Sequence, residues 1–282
     1  MVRLNSSRLY NGTEADGLDL HRGEHTMALM KTSNPALSSK TFTGLASAQY
    51  GGAIDAANRM TLSGTVNKTG LLLICAMATA AWTWREYLQS RDPADVMLLM
   101  LVGVFGGLIV SMVTIFKKEW SPITAPIYAL LEGLVLGGLS AIIDQRYPGI
   151  AIQAVGLTFG TLFVLLLAYS SGLIKVTQKF RLGVIAATGG IFLFYMLQML
   201  LGFFGIQFTS VNGSGIVGIG FSLVVVAVAA LNLVLDFDFI EQGVQVGAPK
   251  YMEWYGAFGI IVTLVWLYLE ILRLLSKLRS RN

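Results

Sequence analysis

Seven long runs of apolar residues, separated by short polar segments, occupy most of the chain. They cover residues 69–88, 94–116, 122–143, 150–174, 182–205, 215–240 and 255–275. Each run is near the ~20 residues that a helix needs to cross ~30 Å of hydrocarbon. The runs do not alternate apolar and polar residues, as the ~10-residue strands of a membrane β-barrel would. The pattern predicts an all-α membrane protein, a seven-transmembrane-helix bundle formed by residues 69–276.

Polar segments flank this bundle at both ends of the chain. Residues 1–68 contain seven of the 20 Lys and Arg residues and five of the 16 Asp and Glu residues, with Ser, Thr, Asn and Gly between them. Such a segment has little apolar surface to bury, so we expect a polar, largely disordered or peripheral N-terminal tail. Residues 277–282 are predicted to form a short basic C-terminal tail.

The overall composition agrees with a membrane protein and excludes several other classes. Hydrophobic residues make up 55% of the chain and charged residues 13%, whereas soluble domains are about 25% charged. This excludes a soluble globular enzyme and a disordered chain, and makes the lipid bilayer the expected partner. The single cysteine, Cys75, excludes an intrachain disulfide. The basic residues lie at the ends of apolar runs rather than in a basic patch with aromatics, so no nucleic-acid partner is expected.

Orientation is predicted from the Lys and Arg residues near the ends of the runs. With the N-terminus inside, eight basic residues lie on the inner side: Arg59, Lys68, Lys117, Lys118, Lys175, Lys179, Arg181 and Lys250. Three lie on the outer side: Arg85, Arg91 and Arg146. The excess predicts a cytoplasmic N-terminus. Seven crossings would put the basic C-terminal tail outside, so the last run either crosses against this rule or re-enters the membrane.

Acidic side chains inside the runs are the main candidates for function. The candidates are Glu132 in the third run, Asp236 and Asp238 late in the sixth, and Glu270 in the seventh. A charged group at mid-bilayer costs about 2.5–3.5 kcal/mol on insertion scales, so an intramembrane acid is a functional candidate by default. Asp236 shares a helix face with Asn232, four residues earlier, while Asp238 points away. Asp236, which is also deeper in its run, is the stronger candidate.

Structural roles compete with the functional ones at two of these acids. Glu132 could form a hydrogen bond to a neighbouring helix. Glu270 could form an intrahelical ion pair with Arg273, three residues later. Both alternatives stay open on the sequence alone.

Several enzyme classes lack their required residues. The last run has no lysine for a retinal Schiff base, and no run contains a histidine that could activate a serine. The sequence Gly-x-Gly-Asp, expected around the second aspartate of an aspartyl intramembrane protease, is missing, and so is a phosphate-binding loop. We therefore predict that the protein is not an enzyme and carries no organic cofactor.

Short motifs in a fixed order carry a family resemblance. They are Glu132-Gly133-Leu134 with Leu136-Gly137, Tyr147-Pro148-Gly149 with Thr158, Phe163 and Tyr169, a sixth run ending in an aspartate, and Leu267-Tyr268-Leu269-Glu270. Over about residues 69–276 the chain resembles the Bax inhibitor-1/YccA family of transmembrane Bax inhibitor motif proteins, as a divergent bacterial member. Two features depart from the family pattern: the last acid is Glu270 rather than aspartate, and it follows Asp236 by 34 residues.

The resemblance implies a function and a location. It implies a pH-sensitive calcium or cation leak in the bacterial inner membrane, with an acid pair from the sixth and seventh helices. We expect Asp236 and Glu270 to be that pair, a proton switch that could also bind calcium, with Glu132 lining the interior. Secondary candidates are Asp238, Asn232, Arg146 and Arg273. The alternative is a non-conducting partner or regulator of another membrane protein, such as a protease.

Two carboxyl groups close together in a medium of low dielectric cannot both ionise at low cost. Such a pair shares one proton, and its titration belongs to the pair rather than to either residue. The sequence-based hypothesis therefore expects that replacing both acids adds little to the effect of replacing one. It also expects that loss of the proton opens or loads the ion path, so that flux increases with pH.

Overall fold

The computed structural model describes residues 58–205 and 209–281, and this part of the chain is almost entirely helical. Seven long helices follow one another: α1 (Leu62–Ser90), α2 (Pro93–Phe116), α3 (Ser121–Arg146), α4 (Ile150–Ser170), α5 (Gln178–Phe203), α6 (Ile216–Gln245) and α7 (Met252–Arg281). A 3₁₀ turn, Lys118–Trp120, precedes α3, and one turn of helix, Thr209–Asn212, precedes α6. These helices follow the order of the predicted runs and have similar bounds.

Local signals in the sequence explain where several helices begin and turn. Asp92 caps α2 by accepting a hydrogen bond from the Ala94 amide at 2.9 Å, and Pro93 occupies the first helical position, where its missing N–H costs nothing. Thr61 caps α1 in the same way through the Gly64 amide. Gly149 has φ of 82° between α3 and α4, a conformation that glycine adopts without steric cost.

Within the described residues, six of the seven long helices are apolar and long enough to cross a membrane. They are α2 to α7, with the 3₁₀ turn counted into α3. The exception is α1, whose 29 residues include Lys68, Arg85 and Glu86 and leave a shorter apolar centre. A multi-pass membrane protein is therefore supported, and the seventh crossing, by α1, stays a prediction.

The ends of the chain differ from the predicted tails. Residues 62–68, assigned to the N-terminal tail, form the first two turns of α1, and residues 1–57 lie outside the described part. Just before α1, the Met60 amide donates to the Ala248 carbonyl at 2.6 Å and the Lys250 amide donates to the Asn58 carbonyl at 2.8 Å. This short segment is thereby attached to the turn between α6 and α7.

The C-terminal segment also belongs to the bundle. Helix α7 continues unbroken through Arg281, so residues 277–281 are helical rather than a separate tail. The ammonium group of Lys277 is buried and donates to the carbonyls of Val211 (2.8 Å) and Gly218 (3.1 Å) and to the hydroxyl of Ser222 (2.9 Å). These acceptors lie at the far end of α6 from the α6–α7 turn. Helix α7 is thus unbroken and reaches from the α6–α7 turn to the start of α6, and its crossing of the membrane stays a prediction.

Close helix contacts depend on glycines in α2 and α3. Gly133 and Gly137 of α3 pack directly on the α1 backbone at Ala76 and Ala80. A Cβ atom added to Gly103 of α2 would lie 2.6 Å from the carbonyl oxygen of Leu131 in α3. Small residues four apart let helix backbones approach in this way, so both glycine pairs serve packing within the bundle. The core itself is centred on α7, where Phe258, Ile261, Leu264 and Leu267 are buried.

Candidate functional site

Three polar side chains of α5 lie on one face of that helix at seven-residue intervals. They are Arg181, Thr188 and Tyr195, and each forms a hydrogen bond to α6 or α7. Residues seven apart return to the same face of a helix. We call these three residues and their partners Asp238, Asn232 and Glu270 the polar seam.

One end of the polar seam is an ion pair between α5 and α6. The guanidinium group of Arg181 pairs with the Asp238 carboxylate, and the Gln242 side chain donates to the same carboxylate oxygen at 2.7 Å. Arg181 is only 5% exposed. Asp238, expected to point away from Asp236, does so and faces α5. Arg181, counted from the sequence only among the basic residues on the inner side, is thus the ion-pair partner of this acid.

The centre of the seam is uncharged. The Asn232 amide donates to the Thr188 hydroxyl of α5 at 2.8 Å and to the Val228 carbonyl of its own helix at 2.8 Å. Asn232 is buried. The polar groups at the centre of the seam are therefore a hydroxyl and a side-chain amide.

The other end of the seam joins α5 to α7 around Glu270. The Tyr195 hydroxyl lies 3.2 and 3.3 Å from the two carboxylate oxygens of Glu270 and accepts a 2.7 Å hydrogen bond from Arg273. Arg273 is also 3.4 Å from Glu270 and lies over the Tyr195 ring, 5.1 Å from its centroid. The intrahelical ion pair that the sequence left open is thus present. Glu270 is 2% exposed, while the Arg273 side chain is 46% exposed.

Asp236 of α6 forms a hydrogen bond with α7. It is fully buried, and its Oδ2 accepts a 2.5 Å hydrogen bond from the Thr263 hydroxyl of α7. Thr263 precedes Glu270 by seven residues, which is about 10 Å along a helix. The two acids of the predicted pair are therefore both in the interior, but they have different partners at different depths.

Glu132 and Arg146 lie away from the polar seam. Glu132 is half-buried on α3, facing α2 at Gly107, and interacts with Tyr128 one turn earlier on its own helix. Arg146 is exposed at the end of α3, with its guanidinium 5.6 Å from the centre of the Tyr147 ring. The structure thus brings Asp238, Asn232, Glu270 and Arg273 into one seam with α5, and leaves Glu132 and Arg146 in separate surroundings.

The described residues contain no group of three or more His, Cys, Asp or Glu side chains that could hold a metal ion. Asp236 accepts a hydrogen bond from the hydroxyl of Thr263, and Glu270 has the hydroxyl of Tyr195 and the guanidinium of Arg273 beside it. Calcium binding at these two residues stays a prediction.

Sequence reasoning missed the contribution of α5. Arg181, Thr188 and Tyr195 are unremarkable one at a time, but their regular spacing in an otherwise apolar helix was a readable signal. Gln198, three residues after Tyr195, is a further polar residue of α5, and its Nε2 is buried with no hydrogen-bond partner among the described residues. Thr263 donates to Asp236, and Lys277 attaches the end of α7. No sequence pattern of this kind pointed to either residue.

Comparison with known protein families shows the family to which the chain belongs. The model of the family described as Bax inhibitor 1 like matches residues 34–280, which is most of the chain. The chain belongs to the Bax inhibitor 1 like family. No curated protein and no solved structure matches it. Family membership confirms the resemblance seen in the short motifs and, with the six apolar helices, supports a multi-pass membrane protein.

Proposed function

We propose that this Bax inhibitor 1 like protein is a pH-sensitive cation leak, and that cations cross along the polar seam between α5 and the α6–α7 pair. The observation that carries the proposal is the length of the seam. Arg181 and Tyr195 are 14 residues apart, which is ~21 Å along a helix, against ~30 Å of hydrocarbon. A row of polar side chains of this length crosses most of the apolar layer.

The energetics of the membrane support a functional role for such a row. Polar and charged side chains in hydrocarbon are costly and are retained mainly where they line an ion or water path. The buried amide of Gln198 adds to this argument, because an unsatisfied buried donor costs about 1–3 kcal/mol. Water in the seam would satisfy it. The Arg181–Asp238 and Arg273–Glu270 pairs close the two ends of the seam in the arrangement seen here.

Protonation of Glu270 provides the proposed pH sensitivity. The deprotonated carboxylate attracts a cation into the seam, and the protonated form lacks that charge, so flux increases with pH. Arg273 and Tyr195 contact Glu270 directly, and Trp266 and Lys277 lie near it. Asp236 is hydrogen-bonded to Thr263 at the α6–α7 interface. In this proposal, protonation of Asp236 changes the contact between these two helices. Calcium, which prefers oxygen ligands, is among the proposed transported ions.

For location, we propose the bacterial inner membrane with seven crossings and a cytoplasmic N-terminus. The end of the bundle with Lys68, Lys118 and Lys250 would face the cytoplasm, as the excess of basic residues there favours. Reporter fusions at Glu119 and Lys179 should report the cytoplasm and a fusion at Gly213 the outside. Gly213 and Lys179 on the same side would contradict this topology.

Ion flux distinguishes a leak from a non-conducting regulator. Liposomes containing only the purified protein should release calcium or monovalent cations, faster at higher pH. The variant Glu270→Gln should remove most of the pH dependence, whereas Asp95→Asn, at an exposed acid in the first turn of α2, should keep it. Absence of flux from the wild-type protein would reject the leak and favour the alternative of a regulator of another membrane protein.

Chemical labelling tests whether the path follows the seam. In a Cys75→Ser background, Thr188→Cys places a thiol at the centre of the seam, and Ala187→Cys places one on the exposed side of the same turn. A water-soluble cationic thiol reagent should modify the first several-fold faster than the second, because only the first faces water. Equal rates, or faster reaction at residue 187, would place the path elsewhere.

A further inference from the structure

A cavity of about 650 Å³ lies between α1, α3, α4 and α7. Its α7 wall is formed by Ile261, Leu264, Val265 and Tyr268, which recur every three to four residues on one helix face. Glu270 is two residues beyond Tyr268 and therefore faces away from the cavity. This cavity is separate from the polar seam, and its volume falls within the ~300–1,000 Å³ of small-molecule sites.

The lining of the cavity is apolar except toward one end. Aliphatic and aromatic side chains form most of the wall, among them Leu73, Met77, Leu136, Val155 and Phe159. Ser140, Asp144 and Tyr268 are the polar lining groups toward the end where α3 leads into α4. A further hydroxyl in the wall, that of Thr158, is turned onto the Ala154 carbonyl of its own helix.

The polar groups at that end already have partners within the protein. The Ser140 and Tyr268 hydroxyls are 2.6 Å apart, and Asp144 accepts a 3.1 Å hydrogen bond from the Ala151 amide at the start of α4. The remainder of the cavity therefore offers contact surface rather than hydrogen bonds. A ligand for it is a flexible apolar chain with any polar group at one end.

The length and depth of the cavity correspond to one leaflet of a bilayer. Its wall on α1 extends from Leu73 to Trp84, which is ~16 Å of helix, and one leaflet contributes about half of ~30 Å of hydrocarbon. The wall on α4 extends from Gly149 to Phe159, the first part of that helix. The cavity thus begins at the membrane surface and ends near the bilayer centre.

The cavity opens sideways toward the surrounding lipid. Two of its lining residues, Met77 on α1 and Ile152 on α4, are 57% and 77% exposed on the outside of the bundle. An acyl chain could therefore enter between α1 and α4 without leaving the hydrocarbon layer. Exposed Arg85 follows directly on Trp84, and exposed Arg146 follows two residues after Asp144, so cationic groups lie at the end where a phosphate would be.

From these observations we propose that the cavity holds one acyl chain of a membrane phospholipid, with the phosphate at the α3–α4 end of the bundle. The lipid forms part of the wall between α1, α4 and α7. The proposal is independent of ion conduction, because it depends only on the shape, depth and lining of the cavity and not on the polar seam.

The test compares two alanines of α1 that differ in their relation to the cavity. Ala81 lines it, and Ala78, one turn earlier and also exposed, does not. Wild-type protein, Ala81→Phe and Ala78→Phe would be purified in detergent, washed extensively and analysed by mass spectrometry for retained phospholipid. We expect about one phospholipid per chain in the wild type and Ala78→Phe, and at least a fivefold loss in Ala81→Phe.

A second pair on α4 protects the test against misfolding of one variant. Val155→Trp fills the cavity from the opposite wall, and Leu157→Trp, at an exposed residue outside the lining, is its control. Thermal unfolding in detergent shows that each variant is folded. Equal retention in cavity and control variants, no retained phospholipid in the wild type, or a different small molecule in its place would each overturn the proposal.

Discussion

Helices α5 and α7 have the same mean hydropathy in their most apolar stretches of 18 residues, yet they occupy opposite environments in the bundle. In that stretch of α7, 61% of the residues are buried within the protein, and in α5 only 6% are. Helix α7 is the centre of the core, and α5 is a peripheral helix. Equal hydropathy therefore indicates that both helices are apolar enough to enter the membrane. It does not indicate which of the two is surrounded by other helices.

The two helices also differ in what attaches them to their neighbours. Helix α7 packs through small and apolar residues, and Gly256 lies against Ile240, Thr65 and Met60. Helix α5 has open space around Gly189 and Gly190 and makes its side-chain hydrogen bonds to α6 and α7 through the polar seam. Dispersion contacts hold a central helix over its whole length, whereas separated polar contacts leave a peripheral helix more freedom to move. That difference suits α5 to form one side of an ion path.

The largest expected effect is at the first turn of α7. Glu253 is fully buried, paired with Lys68 of α1, and accepts hydrogen bonds from the amide and hydroxyl of Thr61. We expect Glu253→Gln to lower the free energy of unfolding by about 3 kcal/mol, since breaking a buried ion pair costs about 3–5 kcal/mol. Thermal or denaturant unfolding in detergent would measure it.

The matched control for that variant is the outer partner of the same acid. Lys250 is 3.3 Å from Glu253 but half-exposed, and pairs exposed to solvent contribute less than about 1 kcal/mol. Lys250→Gln should therefore be nearly as stable as the wild type. Equal losses of unfolding free energy in Glu253→Gln and Lys250→Gln would contradict a special contribution of the buried Lys68–Glu253 pair.

A glycine exchange tests the contrast between the two helices directly. Gly256→Leu adds a side chain where even a Cβ atom would be 3.1 Å from Ile240, and overpacking typically costs about 1–3 kcal/mol. A Cβ atom at Gly190 of α5 would meet nothing within 4 Å, so Gly190→Leu should accumulate and unfold like the wild type. Similar stability of the two variants would mean that α7 is not more tightly packed than α5.

The two interior acids offer a sharper test of whether depth along α7 separates their effects. Asp236 is hydrogen-bonded to Thr263 and Glu270 to Tyr195 of α5, at positions about 10 Å apart along α7. Sites separated in this way usually act additively within about 0.5 kcal/mol. Asp236→Asn and Glu270→Gln should therefore have effects on the logarithm of liposome flux that add in the double variant. A double variant no different from either single one would support instead the shared proton expected from the sequence.

The smallest effect is expected in the polar segment before the bundle. The sequence of residues 1–26 has no apolar periodicity, so we expect the bundle to tolerate their deletion. Insertion, yield and unfolding temperature should stay at wild-type values. Loss of folded protein from membranes after this deletion would contradict the prediction.

Much of the fold could be predicted from the sequence because the free energy of membrane insertion is nearly a sum of contributions from individual residues. Transfer of each side chain to hydrocarbon contributes independently of its eventual neighbours, so the seven runs, their order and their ends at Asp92, Gly149 and similar residues were predictable. The four interior acids stood out for the same reason, since each is costly wherever it lies.

The neighbours of those acids were decided only by the tertiary structure. The faces of Asp236, Asp238 and Glu270 were readable from helix periodicity, but which helix each face meets depends on how seven similar cylinders pack. Shape and small-residue contacts decide that packing, and lipid offers no hydrophobic preference between one helix and another. The sequence by itself therefore determined that this chain is a helical membrane protein with acids in its interior. The folded bundle alone placed Asp236 on Thr263, Glu270 on Tyr195, and α5 beside both α6 and α7.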